Sequence, residues 1–288
     1  MIADPHVALG RREEIVWHHR LHLDDAHARL AAALAHPLVA GSDVVAVLGD
    51  LSHFGDAASV AHVVDAVAAA GGPTVLLAGN HDVFEAEVRL ATLVSAAGAP
   101  AIWNPIAGGD ADRHLSSLFT GAGLGARAWE VVGRAPGGRP FAAACADLVT
   151  VDDGPVVTFT HFPVLDIGER CDRHGLRYAG SLETLADHQP PPAARPEVVL
   201  AGHLHLRSHD IRGHLLQLCF ASLVEAPFEI GCVVVDHDVA SGSVAVEVVC
   251  DTVGGPVVDD PPLLEADRVR FVWEPGRDSW LRPAGEPG

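Results

Sequence analysis

The sequence has few cysteines, and their spacing does not form a cysteine framework. The five cysteines are odd in number, scattered along 288 residues, and include no Cys-x-x-Cys pair. Disulfide scaffolds and zinc-thiolate sites both need closely and regularly spaced cysteines. The composition therefore predicts reduced, structural thiols in a cytoplasmic protein, and it argues against a zinc-thiolate site.

Basic residues and long apolar segments are also scarce. The chain holds 19 Lys and Arg against 38 Asp and Glu, which gives a formal net charge of −19 with neutral histidine. Such a surface repels polyanions, so nucleic acid is not an expected partner. No apolar stretch approaches the roughly 20 residues of a membrane span. The N-terminus shows no signal-peptide core, so no membrane partner is expected either.

The length and the absence of repeats or of a long Ser/Gly linker favour one large domain, which we place at residues 1–250. From about 105 to 140 glycines are dense, and this stretch is expected to form a long insertion or lid with some local structure, with a plain surface loop as the alternative. Residues 251–288 are rich in Pro, Gly and Asp and are expected to form a C-terminal tail. Trp273 and Trp280 would attach this tail to the body, unless the terminus is frayed.

Strand and helix signals alternate along the first hundred residues. Apolar runs predict strands at Val44–Leu48 and Thr74–Ala78, and helical periodicity predicts helices at about 24–36, 56–71 and 84–97. Short connections between such elements indicate a parallel βαβ sheet. Strands dominate the second half of the chain, which predicts a second, mixed sheet packed on the first. These strands are expected at Leu148–Val151 and Pro155–Thr160, joined by a turn, and at Val198–Ala201, His214–Phe220, Gly231–Asp236, Ser243–Cys250 and Val269–Trp273.

Five short apolar runs each end in residues that can bind a metal ion. An apolar run that stops at glycine or at a polar cluster is typical of a buried parallel strand, and ligands bind beyond the carboxyl ends of such strands. A single histidine pair would be weak evidence in a chain with 18 histidines, but the joint pattern predicts a metal site at one sheet edge. The residues that end these runs are Asp4-Pro5-His6, Gly49-Asp50, Gly79-Asn80-His81-Asp82, His161 and Gly202-His203-Leu204-His205.

The ligand types indicate which ions would bind. Imidazole, carboxylate and amide oxygen together favour manganese, iron, zinc or cobalt over calcium, and the lack of thiolates argues against copper(I). An aspartate between two cations can bridge them with its two oxygens. Two ions roughly 3.5–4 Å apart can clamp a phosphoryl group and hold a hydroxide for in-line attack on phosphorus.

This set of motifs resembles the calcineurin-like metallophosphoesterase superfamily over about residues 1–236. The single-domain layout and the Gly-Asn-His-Asp form are similar to those of bacterial class III cyclic-nucleotide phosphodiesterases. The resemblance implies an α/β fold with four layers, α/β/β/α, in which two mixed β-sheets pack as a sandwich flanked by helices. It also implies a dinuclear site for divalent or trivalent transition-metal ions at the carboxyl ends of the strands.

Carried over by motif, the resemblance divides the ligands into two sets. The first metal would be held by Asp4, His6 and His205, the second by Asn80, His161 and His203, and Asp50 would bridge the two. His81 would contact the phosphate and help to protonate the leaving oxygen. Asp50 and His81 are therefore the expected catalytic residues.

One departure from the family pattern affects His81. In many relatives an aspartate three residues after the bridging aspartate orients the catalytic histidine, and here that position is His53. Asp56 or Asp82 could substitute, or His81 could use a backbone carbonyl.

The segment after the first motif supplies further candidates. A loop there could bring His18, His19 and His22 to the pocket mouth, and the alternative is a solvated His-rich loop. The candidate substrate contacts are Asn80, His81, His18, His19, His22 and His53.

The expected function is hydrolysis of a small phosphate ester by metal-bound hydroxide, with phosphodiesters preferred and a phosphomonoesterase as the first alternative. Two ions of manganese, iron or zinc are the expected cofactors. A non-catalytic scaffold of the same fold and a DNA-repair type of nuclease are weaker alternatives, since all seven ligand positions are filled and the charge is acidic. A homodimer is compatible with the sequence.

Overall fold

Six α-helices and twelve β-strands lie within the part of the chain that the structure describes. The computed structural model describes residues 1–10, 21–83, 90–108, 111–133, 141–175, 184–185, 188, 195–255 and 265–283. The helices are α1 (Ala26–Ala35), α2 (Pro37–Ala40), α3 (Ala57–Ala70), α4 (Leu90–Ala97), α5 (Ala111–Gly121) and α6 (Gly168–Arg173). The strands are β1 (Val45–Leu48), β2 (Thr74–Leu77), β3 (Ile102–Trp103), β4 (Gly125–Gly133), β5 (Ala142–Val149), β6 (Val156–Thr160), β7 (Glu197–Ala201), β8 (Ser208–Arg212), β9 (Leu215–Cys219), β10 (Glu229–Asp238), β11 (Ser243–Thr252) and β12 (Arg268–Trp273).

The first layer of strands is joined through the N-terminal residues. Strands β1, β2 and β3 form a parallel sheet in that order, and β10, β11 and β12 form an antiparallel one. Ile2 makes a parallel bridge with Val47, and its backbone N–H donates to Ala46 O at 2.9 Å. Gly231 N–H donates to Met1 O at 3.0 Å. The N-terminal residues therefore connect β10 to β1, and the two groups form one mixed layer.

The second layer is a six-stranded mixed sheet in the order β5-β4-β6-β7-β9-β8. Its four central strands run parallel to one another, while β5 and β8 are antiparallel at the two edges. Strands β6, β7 and β9 are buried along their whole length, as expected for parallel strands covered on both faces.

Three apolar clusters hold the layers together. The largest lies between the two sheets, where Leu48 and Leu77 meet Phe159, Leu200 and Leu218. The outer face of the first sheet packs on α1, α3 and α4, and α6 packs on the second sheet through Cys171 against Ala201 and Cys219. The predicted α/β/β/α fold, with two mixed sheets packed as a sandwich and flanked by helices, is confirmed.

Helix α3 shows how local sequence places these elements. Asp56 caps its first turn, since the Asp56 carboxylate accepts the backbone N–H of Ser59 at 2.9 Å. The helix ends at Gly71, whose φ of +72° suits glycine. The apolar stripe that faces the first sheet consists of Val60, Val63, Val64 and Val67. For the next predicted helix the structure describes Leu90–Ala97, and residues 84–89 of that prediction lie outside the described residues.

The prediction of a lid at 105–140 is wrong for the described residues of that stretch. Helix α5 buries Leu115 and Phe119 in the core between the sheets, and β4 lies inside the second sheet between β5 and β6. The predicted strands before and after the turn at Asp152-Asp153-Gly154 do exist, but β4 separates them. Alternating small residues such as Ala126 and Ala128 hid this strand, because its burial depends on partners distant in the sequence.

The C-terminal tail also needs correction where the structure describes it. Strand β11 runs through the predicted boundary to Thr252, and β12 pairs with it along its length. Trp280 is buried, packs on Trp273 with ring centroids 5.9 Å apart, and donates its indole N–H to His214 O at 2.8 Å. Residues 265–283 are therefore part of the folded body, attached by the two tryptophans as predicted.

Two expectations from composition can be compared with the structure. All five cysteines are free thiols in the structure. Among the described residues, the helices are too short or too polar to cross a membrane.

A buried carboxyl group links β4 to the first sheet. Glu130 on β4 accepts a hydrogen bond from Asn104 Nδ2 at 2.8 Å, and the same amide group donates to Leu76 O at 3.0 Å. Burial raises the pKa of Glu130 to about 7, although the hydrogen bond from Asn104 works in the opposite direction. Glu130 therefore holds its proton in the folded protein at a pH where the unfolded chain has lost it.

Replacing Glu130 by Gln tests whether the buried Glu130 carboxyl group is protonated in the folded protein. The folded-state pKa lies above the ordinary value of 4.5, so ionisation of Glu130 destabilises the fold as the pH rises between these values. We expect Glu130→Gln to gain about 1–3 kcal/mol of unfolding free energy, relative to the unchanged protein, between pH 5 and pH 8. Urea unfolding measures the difference, with Glu169→Gln, an exposed change on α6, as the control. Identical pH profiles for the two variants would contradict the assignment.

Candidate functional site

Five motif residues adopt left-handed backbone conformations just beyond strand ends. Their φ angles lie between +42° and +69°. Non-glycine residues rarely adopt such angles, and strain of about 1–3 kcal/mol per residue persists only where the surrounding structure enforces it. These turns follow the N-terminal bridge, β1 and β7, so they carry polar side chains to one edge of the sandwich. The residues are Asp4, His6, Asp50, His203 and His205.

The glycines in these motifs leave room for the ligands. A Cβ at Gly79 would collide with Asp50 Oδ1, and it would lie 2.8 Å from His161 Cε1. A Cβ at Gly49 would lie 2.5 Å from His161 Nδ1, and φ at Gly49 is +94°. Glycine is therefore required at both positions, because any side chain would displace Asp50 or His161.

The first group of converging side chains comprises Asp4, His6, Asp50 and His205. All four are buried, and one ligand atom from each lies within 4.8 Å of the others. His6 Nε2 is 3.0 Å from His205 Nε2 and 3.6 Å from Asp50 Oδ2. The backbone N–H of His203 donates to both oxygens of Asp4 at 3.0 Å, which fixes that carboxylate.

The second group comprises Asp50, His161 and His203, again with ligand atoms within 4.8 Å of one another. His161 donates its Nδ1–H to Leu48 O at 2.9 Å, so its Nε2 is the nitrogen directed at the centre. That Nε2 lies 3.4 Å from Asp50 Oδ1 and 2.9 Å from Asn80 Oδ1. The structure therefore brings together all seven predicted ligands, with Asp50 in both groups.

The donor set fits a pair of transition-metal ions. Imidazole nitrogens face one another across 3.0 Å in the first group, and an imidazole nitrogen faces two acceptor oxygens in the second. Cations placed among these lone pairs would satisfy them together, and the mixture of imidazole, carboxylate and amide oxygen suits manganese, iron or zinc. Asp50 directs a different oxygen toward each group, which is the arrangement that a bridging ligand needs.

Burial keeps two histidines of the centre, His6 and His203, in the neutral form that binds metal. It lowers the pKa of His6 and of His203 well below the ordinary range, and neighbouring histidines lower both further. Neutral imidazole offers the lone pair that a metal requires. For Asp50, burial would raise the pKa, but the adjacent His161 and other histidines outweigh it and lower the pKa. A carboxylate and neutral imidazoles therefore meet at this edge.

His81 is fixed beside the first group. Its ring Nδ1–H donates to His53 O at 2.7 Å, and its backbone N–H donates to Asp50 Oδ1 at 2.9 Å. The His81 ring lies 4.7 Å from that of His6. The alternative that His81 uses a backbone carbonyl is therefore the arrangement found.

The two aspartates considered as partners of His81 have other roles. Asp56 caps α3, as described above. The Asp82 carboxylate accepts backbone N–H bonds that tie the two ligand loops together, from Leu51 at 3.0 Å, Ser52 at 2.8 Å and Gly79 at 2.8 Å.

The histidines proposed for substrate contacts lie in different places. His53 is buried at the centre, with Nδ1 3.3 Å from His6 Nδ1, and burial together with His81 lowers its pKa to about 4. His22 packs its ring against Phe228 and donates its backbone N–H to Val224 O at 2.8 Å. His18 and His19 lie outside the described residues.

Sequence analysis missed one residue at the centre. Glu225 Oε2 lies 2.6 Å from His205 Nδ1, and both side chains are buried. Burial would lower the pKa of His205, but the hydrogen bond with Glu225 and the charge of Asp4 raise it to about 9. The only available signal was a carboxylate within the apolar run from Leu218 to Pro227, since an acidic group is rarely buried without a partner.

A Gly79→Ala substitution should impair metal binding at the centre without unfolding the protein. The added methyl group displaces Asp50 and His161, so we expect manganese bound per chain to fall by at least one ion while the protein stays folded. Metal analysis after dialysis measures this. Gly121→Ala is the matched control, because nothing lies within 4 Å of its Cβ. Full metal content in Gly79→Ala would show that the close contact is tolerated.

Comparison with known proteins places this geometry in a family. The family model of the calcineurin-like phosphoesterases matches residues 1–207, a region that contains all seven converging ligands. No curated protein sequence matches the chain. Among solved structures, a dimetal phosphatase from Danio rerio is similar over 86% of this chain and 93% of its own, with 14% identity and a TM-score of 0.48. The family match covers well over half of the 288 residues, and the chain therefore belongs to the calcineurin-like phosphoesterases, which are metal-dependent phosphoric ester hydrolases.

Proposed function

We propose that this hydrolase acts on a small phosphate ester and prefers phosphodiesters, with two transition-metal ions of manganese, iron or zinc. The observation that carries the proposal is the sharing of Asp50 between two buried groups of donors, with His81 beside the first group. Such a paired site suits a substrate whose charge is spread over several oxygens of one phosphorus.

The residues that would hold the ions follow from the two groups. Asp4, His6 and His205 would bind the first ion, Asn80, His161 and His203 the second, and Asp50 both. When bound, the two ions supply positive charge for the phosphoryl oxygens and activate a water molecule for attack on phosphorus. The protein fixes the ligand geometry through two hydrogen bonds: His161 Nδ1–H donates to Leu48 O, and His203 N–H donates to the Asp4 carboxylate.

His81 is proposed as the group that protonates the leaving oxygen. Because its Nδ1–H is donated to His53 O, the opposite ring nitrogen, Nε2, is the one that can carry a proton to the substrate. Asp50 accepts the backbone N–H of His81 and so fixes this residue relative to the metal ligands. Asn80, His81 and His53 are proposed as substrate contacts at the centre. His18, His19 and His22, which precede α1 in the sequence, are proposed as further contacts.

The preference for a diester is supported by the charge balance of the chain. The sequence has no lysine. Among the described arginines, Arg127 pairs with Glu197, Arg170 with Asp210 and Arg207 with Glu229. A phosphodiester carries one negative charge, whereas a phosphomonoester carries nearly two at neutral pH. A centre whose added positive charge comes mainly from the ions therefore favours the diester in a chain of net charge −19.

Rates on bis- and mono-p-nitrophenyl phosphate with manganese test the preference. We expect the diester to be hydrolysed faster, and Asp50→Asn to lower both rates at least about a hundredfold because the shared ligand is weakened. Asp65→Asn, an exposed change on α3, is the control and should leave both rates unchanged. A thousandfold preference for the monoester would instead establish a phosphomonoesterase, and no hydrolysis with two ions bound would indicate a scaffold.

A cytoplasmic location is proposed from the cysteines. All five are free, and Cys171, Cys219 and Cys250 are buried. A disulfide found in protein isolated from its own cells would contradict this location.

We also propose a homodimer formed through the outer face of β10–β12. Residues of this face line a cavity of about 840 Å³, and one of them, Val234, is 55% exposed. Asp236 lies on β10, whereas Arg268 and Arg270 lie on β12 at the other side of the face. A two-fold axis parallel to the strands would place the acidic side of one copy over the basic side of the other.

Light scattering tests the dimer. We expect a mass twice the chain mass of 30.1 kDa. Val234→Arg should halve it, because β10 of one copy would lie over β12 of the other and the new charge would face Arg268 and Arg270. The exposed Val239→Arg, in the turn after β10, is the control. A monomeric unchanged protein would overturn the proposal.

A further inference from the structure

The segment after β9 carries a carboxylate into the first group of metal ligands. Glu225 is 2% exposed, and its Oε2 lies 2.6 Å from Nδ1 of His205. Because a carboxylate accepts and imidazole Nδ1–H donates, this bond directs the other ring nitrogen, Nε2, toward His6, whose Nε2 is 3.0 Å away. Glu225 therefore sets both the tautomer and the direction of the His205 ring.

The same segment is tied to the N-terminal motif. Ser222 Oγ donates to Asp4 O at 2.9 Å, and Leu223 N–H donates to Ala3 O at 3.0 Å. Val224 O accepts the backbone N–H of His22 at 2.8 Å. Residues 222–225 are buried throughout. This segment, which we name the 222–225 segment, thus holds two ligands of one ion, Asp4 through its backbone and His205 through its side chain.

The two groups of ligands differ in how their histidines are oriented. His161 in the second group uses a backbone carbonyl, Leu48 O, whereas His205 in the first group uses a carboxylate. A carboxylate partner makes the imidazole more basic and a stronger ligand than a carbonyl partner does. The 222–225 segment also lies beyond the residues matched by the family model, which end at 207.

From this geometry we propose that Glu225 is a positioning residue for the first metal ion, and that the 222–225 segment gives that ion a different affinity from the second. The proposal rests on the two-metal centre proposed above. Glu225 acts on the ion through His205, and Ser222 supports Asp4. Removing the carboxylate charge of Glu225 should therefore weaken the binding of the first ion and leave the binding of the second unaffected.

The test measures the affinity of each ion separately, in variants that retain only one of the two sites. In His161→Ala the second group is damaged and only the first ion should bind, whereas in His6→Ala only the second should bind. Calorimetric titration of each metal-free protein with manganese then measures one site at a time. Adding Glu225→Gln, which keeps the side-chain size and an acceptor oxygen, should weaken manganese binding about 10–100-fold in the His161→Ala background. In the His6→Ala background it should change the affinity less than about threefold.

Controls distinguish positioning from general damage. Glu229→Gln alters another buried glutamate, which pairs with Arg207, and should leave manganese affinity unchanged in both backgrounds. Thermal unfolding of each metal-free variant confirms that it is folded. Glu225→Ala, which removes the acceptor as well as the charge, should weaken the first site at least as much as Glu225→Gln.

Each outcome has a distinct meaning. Equal affinity with and without Glu225→Gln in the His161→Ala background would overturn the proposal. Equal weakening in both backgrounds would also overturn it, since it would show a general structural effect. If the unchanged protein binds no manganese at all, the two-metal centre itself is wrong, and that failure is visible before any Glu225 variant is made.

Discussion

The shared carboxylate of Asp50 is the interaction on which the centre depends. One of its oxygens faces His6 and the other faces His161, so the two halves of the site meet at a single side chain. This position is available only because Gly79 lacks a side chain that would occupy it. Asp82 reinforces the arrangement, because its carboxylate accepts backbone N–H groups from the loops after β1 and after β2. The same hydrogen bonds that hold these two loops together therefore also place Asp50.

Burial gives this centre its electrostatic character. Histidines and carboxylates are gathered where water cannot compensate their charges, and burial lowers the pKa of His6 and of His203 well below the ordinary range. The chain around them is strongly acidic and contains no lysine. Bound cations would thus become the largest local charges and reverse the sign of the field at the pocket. An acidic protein can attract an anionic ester only at such a place.

Features that depend on residues close together in the sequence could be predicted, whereas features that depend on residues far apart in the sequence could not. The parallel strands β1, β2, β6 and β7 are recognisable because continuous apolar runs are a local signal, and the ligands at their ends follow from where those runs stop. The cap at Asp56 is equally local. Strand β4 was missed because small residues such as Ala126 and Ala128 become core residues only between β5 and β6. Glu225 was missed because its partner, His205, is reached through β8 and β9, and no spacing rule connects the two.

The origin of the ligands along the chain has a consequence for biosynthesis. Asp4 and His205 lie far apart in the sequence, and Asp4 is fixed by His203 and by Ser222. A ribosome-bound chain that has exposed only its first half carries Asp4, His6 and Asp50, but it lacks His205 and the residues that fix Asp4. The first group of ligands would therefore be complete only after the chain has been synthesised through His205 and the 222–225 segment that orients it.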